Sequence, residues 1–367
     1  MLKIKEISIS GLKSIKQLDL FFPEQVNLLI GPNGAGKSNL VFFFNMLSWM
    51  VKSPNRFQEK VAEWGNASGL LFRGHKETSD IRGHLAIETE IGLNEYAFRL
   101  HAVGGDKLIF AEERVRFTNP QIGAGKAEWK SIGDGGKESK LFEQKSTDRT
   151  IKVVEALLKR IYVYQFHDTG PSSKIRNSWS RNDGENLKDD AGNLGSFLLH
   201  LQENHSAHYT RLVRYIREVI PDFDDFQFPD NGPVLLQWRE KSSDYLFSAY
   251  QASDGMLRFF ALVALLSQPP EKMAPVIFID EPELGLHPQA IVFLAGLIRS
   301  SSKHCQLFIS TQSPGLVSQF EPEEIVVVEK KEGVSTYQKQ DKDKLQAWLE
   351  EFTMGEIWNH NLIGGRP

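Results

Sequence analysis

Cysteine is almost absent from this sequence: Cys305 is the one thiol among 367 residues. A lone thiol closes no internal disulfide and builds no cysteine-cluster zinc site within the chain. Such usage fits a reducing cytoplasm. Long apolar runs are missing too. The longest near the start, "NLVFFFNMLSWMV", is interrupted by Asn45 and Ser48 and is too short to span a bilayer, so it reads as a buried helix. The opening "MLKIKEISIS" lacks the apolar core of a signal peptide. Neither sign of charge dominates. Lys and Arg number 43 against 47 Asp and Glu, a net charge of −4, so bulk charge announces neither nucleic acid nor an acidic membrane surface, although a local basic groove is compatible with it. There is no internal repeat and no sustained heptad pattern, which argues against a long coiled-coil arm. What remains is ordinary globular composition, 41% hydrophobic and 25% charged, in a chain long enough for one large domain or two of usual size.

Periodicity supplies the elements. Residues 2–22 alternate through Ile4, Ile7, Ile9, Leu18, Leu20 and Phe22, which predicts two antiparallel strands around "SGLKS". "QVNLLI" (25–30) is a short continuous apolar run, as expected of a strand buried on both faces, and a helix of roughly 14 residues should follow its glycine-rich loop. Residues 81–118 predict an antiparallel meander of three or four strands, and 119–149 a mobile loop with at most one short strand near Trp129. A helix is expected at 149–160, a strand at 161–166, a long surface loop at 168–193, and one or two helices across 194–220. Strands are expected near 234–239 and 245–250. Then come a helix (255–267), a strand (275–280), a helix (288–300), a strand (305–310), a helix (314–319) and a strand (324–329). This alternation in the last third points to a parallel sheet covered by helices.

The chemistry concentrates in two places. "GPNGAGKS" (31–38) fits G-x-x-x-x-G-K-[ST] in full, after a buried strand and before a helix, which is the context the motif requires. Gly31, Gly34 and Gly36, with Pro32, Asn33 and Ala35 between them, let the backbone curl so that N–H groups point inward at phosphate. Asn39 follows at the start of the helix, whose N-terminus adds its positive end. Lys37 supplies a point charge for the β- and γ-phosphates, and Ser38 a hydroxyl for Mg²⁺. The second place is "PVIFIDEPELGLHP" (275–288), a buried run that ends in Asp280, Glu281 and Glu283. Carboxylates at the end of a buried strand are costly unless something pairs them. Asp280 is placed to hold the metal through water, and Glu281 to polarise an attacking water as general base. Glu283 reads as structural. Capping of the helix that starts at Pro288 is the plainer use of these acids, but two in a row after an apolar run fit the metal better.

With these motifs the chain resembles an ABC-type P-loop ATPase head of the RecF/SMC/OLD-like group, the AAA_21 type. The resemblance implies an α/β fold: a P-loop NTPase with an ABC-type head, a mainly parallel core sheet covered by helices, an antiparallel β lobe and a helical insertion. It implies a single head over 1–367: N-terminal strands and P-loop in 1–54, antiparallel lobe and mobile loop in 55–160, helical insertion in 161–250, and signature, Walker B and switch lobe in 251–367. "ASDGMLRFFALVALL" (252–266) resembles the family's signature stretch, although it reads S-D-G-M-L-R where the family has L-S-G-G-Q. By that resemblance Ser253 and Gly255 complete the nucleotide site of an opposite subunit, and Arg258 either replaces lost contacts or pairs with Asp254. "GLHP" (285–288) resembles the D-loop, and "LFISTQSP" (307–314) the switch strand, with Gln312 where the family usually has histidine. Glutamine can hydrogen-bond a γ-phosphate but takes no proton. Gln165, or His167 nearby, is the candidate for the Q-loop residue that senses Mg²⁺. Arg73 in "LFRGH" is placed to reach phosphate or DNA, a solvated surface arginine being an equal reading. The tail "GEIWNHNLIGGRP" resembles that of stand-alone members, and no TOPRIM-like nuclease segment follows the ATPase.

The function implied is an ATP-binding and ATP-hydrolysing switch with ATP and Mg²⁺ as cofactors. Two heads would form a homodimer around two shared ATP sites, without a membrane, in the cytoplasm. The resemblance implies work in DNA repair or anti-phage defence with a separately encoded nuclease or toxin. The alternatives are an ABC transporter nucleotide-binding subunit, or a weakly hydrolysing ATP-binding scaffold. No N-K-x-D base-reading motif occurs, which argues against a GTPase. DNA stays open: Lys126, Lys130, Lys174, Arg176 and Arg181 suffice for phosphate contacts, while Asp189 and Asp190 counter them in loops that also read as ordinary solvated surface.

Overall fold

The apolar run Val26–Ile30 is a strand in which all five residues are buried. Such a strand needs cover on both faces, and the rest of the chain provides it. The structure, a computed structural model, describes residues 2–53, 55–119, 127–141 and 148–366. In order, the elements are β1 (Lys3–Leu12), β2 (Ile15–Phe21), β3 (Val26–Ile30), α1 (Lys37–Lys52), α2 (Phe57–Glu63), α3 (Asn66–Leu70), β4 (Asp80–Glu88), β5 (Leu93–Val103), β6 (Lys107–Thr118), β7 (Lys130–Gly133), α4 (Arg149–Lys159) and β8 (Ile161–Tyr164). They continue with α5 (Leu194–Asn204), α6 (Ser206–Val219), β9 (Phe223–Phe226), β10 (Gln237–Glu240), β11 (Ser243–Ser248), α7 (Asp254–Leu266), β12 (Val276–Asp280), α8 (Pro288–Ser301), β13 (Gln306–Thr311), α9 (Pro314–Val317), β14 (Ile325–Lys331), β15 (Val334–Lys339), α10 (Lys342–Leu349) and α11 (Met354–Asn359).

The central sheet has the order β15-β14-β3-β13-β12-β8. It is parallel except for β15, which returns antiparallel to β14. Alternate residues face opposite layers. Leu28, Ile30, Ile277, Ile279, Leu307 and Ile309 pack with Leu198 of α5, Leu212 of α6, Phe260 of α7 and Leu294 of α8. Leu29, Val276, Phe278 and Phe308 face the other way, onto Phe44 of α1, Leu158 of α4 and Ile7 of β1. Phe44 stacks on Phe278 at 4.0 Å between ring centres, and Phe278 on Phe308 at 4.4 Å. Such stacks add stability beyond area burial.

The second sheet, β2-β1-β4-β5-β6-β7, is antiparallel throughout. It contains the expected hairpin and meander. Within the span expected as a mobile loop, residues 127–141 are anchored: buried Glu113 accepts from Ser139 Oγ at 2.5 Å and from the Lys140 N–H at 2.7 Å. The third sheet, β11-β10-β9, accompanies α5 and α6. Its strand Phe223–Phe226 escaped sequence reading because "FDDF" is short and polar at its centre. Among the described residues no helix is long and apolar enough to cross a membrane.

The 168–193 span corrects an expectation. It has two short 3-10 turns, but Ile175, Arg176, Leu187, Ala191 and Asn193 are buried. Polar composition hid this, because the segment is held by side-chain hydrogen bonds to backbone rather than by an apolar stripe. Asn193, for instance, donates to the carbonyls of Asp183 and Asn186 and accepts from the Lys188 N–H.

Candidate functional site

The parallel register fixes the site. Leu29 pairs with Ser310, and Ser310 with Asp280, while Ile30 pairs with Thr311. The ends of β3, β13 and β12 therefore lie side by side, and Asp280 sits two strand spacings, about 10 Å, from the strand that feeds the glycine loop. The loop leaves β3 at Gly31 with φ 152° and enters α1 through Gly36 with φ 118°, a left-handed value that favours glycine. A Cβ at Gly31 would fall 2.2 Å from the Val328 carbonyl oxygen, whereas Gly34 faces open space. The first turn of α1 carries no acidic residue and no side-chain cap, which leaves its N–H groups free of a carboxylate from the helix itself.

Lys37 is folded back on the loop, donating to Gly31 O at 2.6 Å and Pro32 O at 3.2 Å. Burial lowers the pKa of its ammonium, while Glu281, Asp280 and Glu283 act in the opposite direction through their charge. Lys37 and the acids at the end of β12 thus share one electrostatic site. Ser38 is exposed beside it.

Asp280 is buried. Ser310 donates to its Oδ1 and the Gln165 amide to its Oδ2, the latter at 3.2 Å, while His167 Nε2 meets its backbone carbonyl at 3.0 Å. Glu281 adopts φ 44°, in the left-handed region that residues with a Cβ seldom occupy. Its N–H pairs with Ser310 O at 2.9 Å, and its carboxylate accepts from the side-chain amide of Gln312. Glu283 accepts from Thr311 Oγ1 at 2.7 Å and from the Gln312 N–H at 2.8 Å, and burial raises its pKa. It ties the turn after β12 to the end of β13. Ser310 and Thr311 were not singled out from sequence, yet a polar pair closing the apolar run "LFIST" is the same signal that exposed Asp280.

Ser253 is the N-cap of α7, its hydroxyl accepting from the Met256 N–H at 3.2 Å. A Cβ at Gly255 would fall 2.2 Å from Gly285 O, so α7 packs its first turn directly on the 284–287 loop. Arg258 does not pair with Asp254. Its guanidinium donates to Phe166 O at 3.0 Å, His167 O at 2.9 Å and Leu284 O at 3.1 Å, so it joins three segments around the site. Asp254 pairs instead with Arg176 at 2.9 Å.

The basic residues weighed for phosphate contacts have partners within the chain, where they are described. Arg176 is buried, donating to carbonyls of Thr169, Ala249 and Ala252. Lys130 pairs with Asp148, Lys174 with Asp190, and Arg181 with Glu203. Lys126 lies outside the described residues. Arg73 pairs with Glu77 at 3.3 Å and donates to Glu332 O at the β14–β15 turn.

Comparison with known proteins identifies the family and the fold. Residues 26–318 match the AAA_21 family, described as "AAA domain, putative AbiEii toxin, Type IV TA system". The DNA replication and repair protein RecF of Clostridioides difficile is 28% identical over 152 residues, 41% of this chain and 38% of RecF. The Septu protein PtuA of Bacillus thuringiensis is 23% identical over 366 residues, 97% of this chain and 83% of PtuA. An SMC head solved bound to the C-winged helix domain of ScpA superposes with TM-score 0.62 at 15% identity, covering 94% of this chain and 99% of that one. The SMC head of Thermotoga maritima gives 0.51 at 14% identity, covering 92% and 99%. At these identities the likeness is one of fold.

Proposed function

The chain belongs to the AAA_21 family, as an ABC-type P-loop ATPase of the RecF/SMC/OLD group, and from that premise we propose that it binds Mg-ATP at the 31–39 loop and hydrolyses it. The observation that supports this reading is that Lys37, after the loop that leaves β3, shares its electrostatic surroundings with Asp280 and Glu281 at the end of β12, two strands across the same edge of the sheet.

The residues fit the cofactors. Gly34 faces open space, room for phosphate against the backbone of the loop. The Ser38 hydroxyl and the Asp280 carboxylate are hard oxygen donors of the kind Mg²⁺ takes, with Gln165 beside them. When bound, Mg²⁺ offsets charge on the phosphates. Lys37 would leave its backbone acceptors for phosphate oxygens. Glu281 would accept a proton from water, its carboxylate aimed by Gln312. Glutamine at 312 can hydrogen-bond a γ-phosphate, and its hydrogen bond to Glu281 supports a second role in positioning the base.

The reading extends to a homodimer closed over two ATP molecules. Ser253 and Gly255 lie at a helix N-terminus, a suitable end for a partner's phosphate. Exposed Tyr250 and Leu284 flank them, apolar surface that closure would cover. ATP would then favour the dimer because it binds the closed state better. A cytoplasmic role in DNA repair draws support from the likeness to a DNA replication and repair protein. Anti-phage defence with a separate nuclease or toxin is the companion reading implied by family resemblance. A slowly hydrolysing scaffold is the second reading, favoured by the non-titrating Gln312 beside Glu281.

Phosphate release with ATP and Mg²⁺, measured for the wild type, Lys37→Ala and Asp280→Asn, tests the proposal. Turnover that both substitutions abolish supports it. Equal turnover in all three, or tight ATP binding that Lys37→Ala leaves unchanged, would refute it.

A further inference from the structure

The nucleotide loop is backed by the C-terminal β14–β15 hairpin, and the contacts between them run in one chemical direction. Ser335 Oγ lies 2.5 Å from Ala35 O and 2.5 Å from Ser14 Oγ. Asn39 Nδ2 lies 2.5 Å from the same Ser14 Oγ. A hydroxyl has one proton to give. Ala35 O only accepts, so the Ser335 proton goes there, and Ser14 must donate to Ser335. The Asn39 amide donates to Ser14. The result is a relay that starts on the first turn of α1, passes through the β1–β2 turn and the hairpin, and returns to the loop at Ala35. Aligned hydrogen bonds of this kind polarise and strengthen one another. Tyr337 Oη donates to Gly36 O at 2.8 Å, beside a backbone bond from the Asn39 N–H at 2.9 Å. The hairpin is itself pinned, since the Ser335 N–H donates to Ser14 O at 2.8 Å.

We propose that Ser335, through Ser14 and with Tyr337, is a positioning residue that sets the phosphate-binding conformation of the loop. The proposal rests on the nucleotide reading above. In a trans peptide the C=O and the following N–H point opposite ways. Holding the carbonyls of Ala35 and Gly36 toward the hairpin therefore turns the N–H groups of Gly36 and Lys37 to the other side, where phosphate would lie. The fit also explains Gly36. A Cβ there would meet Ser335 Oγ at 2.2 Å, so the hydroxyl occupies the space a side chain would need. Ser335 is fully covered and some 300 residues from the loop in sequence, which is why no motif marks it. Nothing in this requires Ser335 to touch nucleotide, so its effect falls on binding rather than on the chemical step.

The test uses the full chain with Mg²⁺, measuring ADP affinity by calorimetry and steady-state ATP turnover. Ser335→Ala should weaken ADP binding about five- to tenfold and raise KM for ATP by the same factor, with kcat within about twofold of wild type. Tyr337→Phe should weaken binding about threefold, since Gly36 O keeps its backbone donor. Ser14→Ala, which breaks the relay but spares the bond to Ala35, should fall between wild type and Ser335→Ala, an ordering that general loosening of the fold does not produce. Ser14→Ala and Tyr337→Phe carry the test if Ser335→Ala fails to fold. Variants that bind ADP as wild type does, or that lose kcat with KM unchanged, overturn the proposal while the nucleotide reading stands. A wild type that ignores ADP overturns both.

Discussion

The side-chain amide of Gln312 donates to the carboxylate of Glu281, joining the end of β13 to the residue after β12. Glu281 holds a left-handed backbone conformation, and its N–H is spent on Ser310 O. Gln312 is thus the side chain that fixes where the carboxylate points. Glu281→Gln should lower kcat by about 10²-fold or more while leaving ATP binding intact, the loss expected of a general base. Gln312→Ala should lower kcat about tenfold with little change in KM, since it frees the base without removing it. Single-turnover hydrolysis measures both. If Gln312→Ala costs affinity instead, its partner is the phosphate after all. Gln312 takes no proton, so it contributes no titration to the pH–rate profile; Gln312→His should introduce one near neutral pH.

Arg176 shows what a buried cation does away from the site. Its guanidinium serves the carbonyl of Thr169 in its own segment, the carbonyls of Ala249 and Ala252 just before α7, and the carboxylate of Asp254 in the first turn of α7. Arg176→Met should destabilise the fold by about 3 kcal/mol, because three buried carbonyls lose their donor, while the half-exposed Asp254 carboxylate can turn to water. Arg176→Lys should restore little, since an ammonium does not match the fork geometry. Urea unfolding reads both. A loss below about 1 kcal/mol would mean that water replaces the guanidinium there.

The contrast between these residues shows what sequence could reveal. The glycine loop, Asp280 and Glu281 were legible because their chemistry needs fixed residue types at fixed spacing beside a buried strand. The parallel sheet covered by helices was legible in the strand–helix alternation, whereas the strand order β15-β14-β3-β13-β12-β8 came only from the fold. Ser335 and Arg176 were not legible, since each acts on backbone carbonyls far away in the chain. Ser335 reaches Ala35 only because β15 folds back on β14 and brings its second residue beside Ser14. Arg176 sits in polar sequence, and polarity there reads as surface until its acceptors are seen. Lys130, Lys174 and Arg181, whose use the sequence left open, each have a carboxylate partner that only the fold assigns.

Glu95 on β5 should make the fold sensitive to acid. It lies opposite Arg116 in the strand register, accepting two hydrogen bonds at 2.6 Å, with His84 at 3.2 Å. Burial opposes its charge, but the bonds from His84 and Arg116 and the guanidinium charge outweigh this and hold its pKa at about 2. The unfolded value is about 4.3. A pKa lowered by folding contributes stability that is complete above the unfolded value and is lost as pH falls through the folded one, so the loss spans about pH 4 to 2. The urea midpoint of wild type should drop more steeply across that window than that of Glu95→Gln. Parallel curves would show that the charge matters little.

Cys305 offers a probe of the site's own foundation. It lies between α8 and β13, fully buried, with Sγ 3.4 Å from Ser301 O, and burial pushes its thiol pKa up to about 12. A buried thiol at ordinary pH presents neither access nor thiolate to a disulfide reagent. The native protein at pH 8 should therefore react with no aromatic disulfide reagent over minutes, and the chain unfolded in urea should react once, since no other cysteine exists. In mild urea the labelling rate should follow the fraction of molecules in which β13 has opened. β13 is also the strand that carries Ser310, Thr311 and the backbone leading to Gln312. A ligand that binds only the folded site at 100 times its Kd should slow opening-limited labelling about 100-fold, by mass action. Slowing by Mg-ATP in the wild type but not in Lys37→Ala would tie the thiol's protection to the phosphate loop. Rapid labelling of the native protein would mean that β13 is not anchored as the hydrogen bonds around Asp280 require.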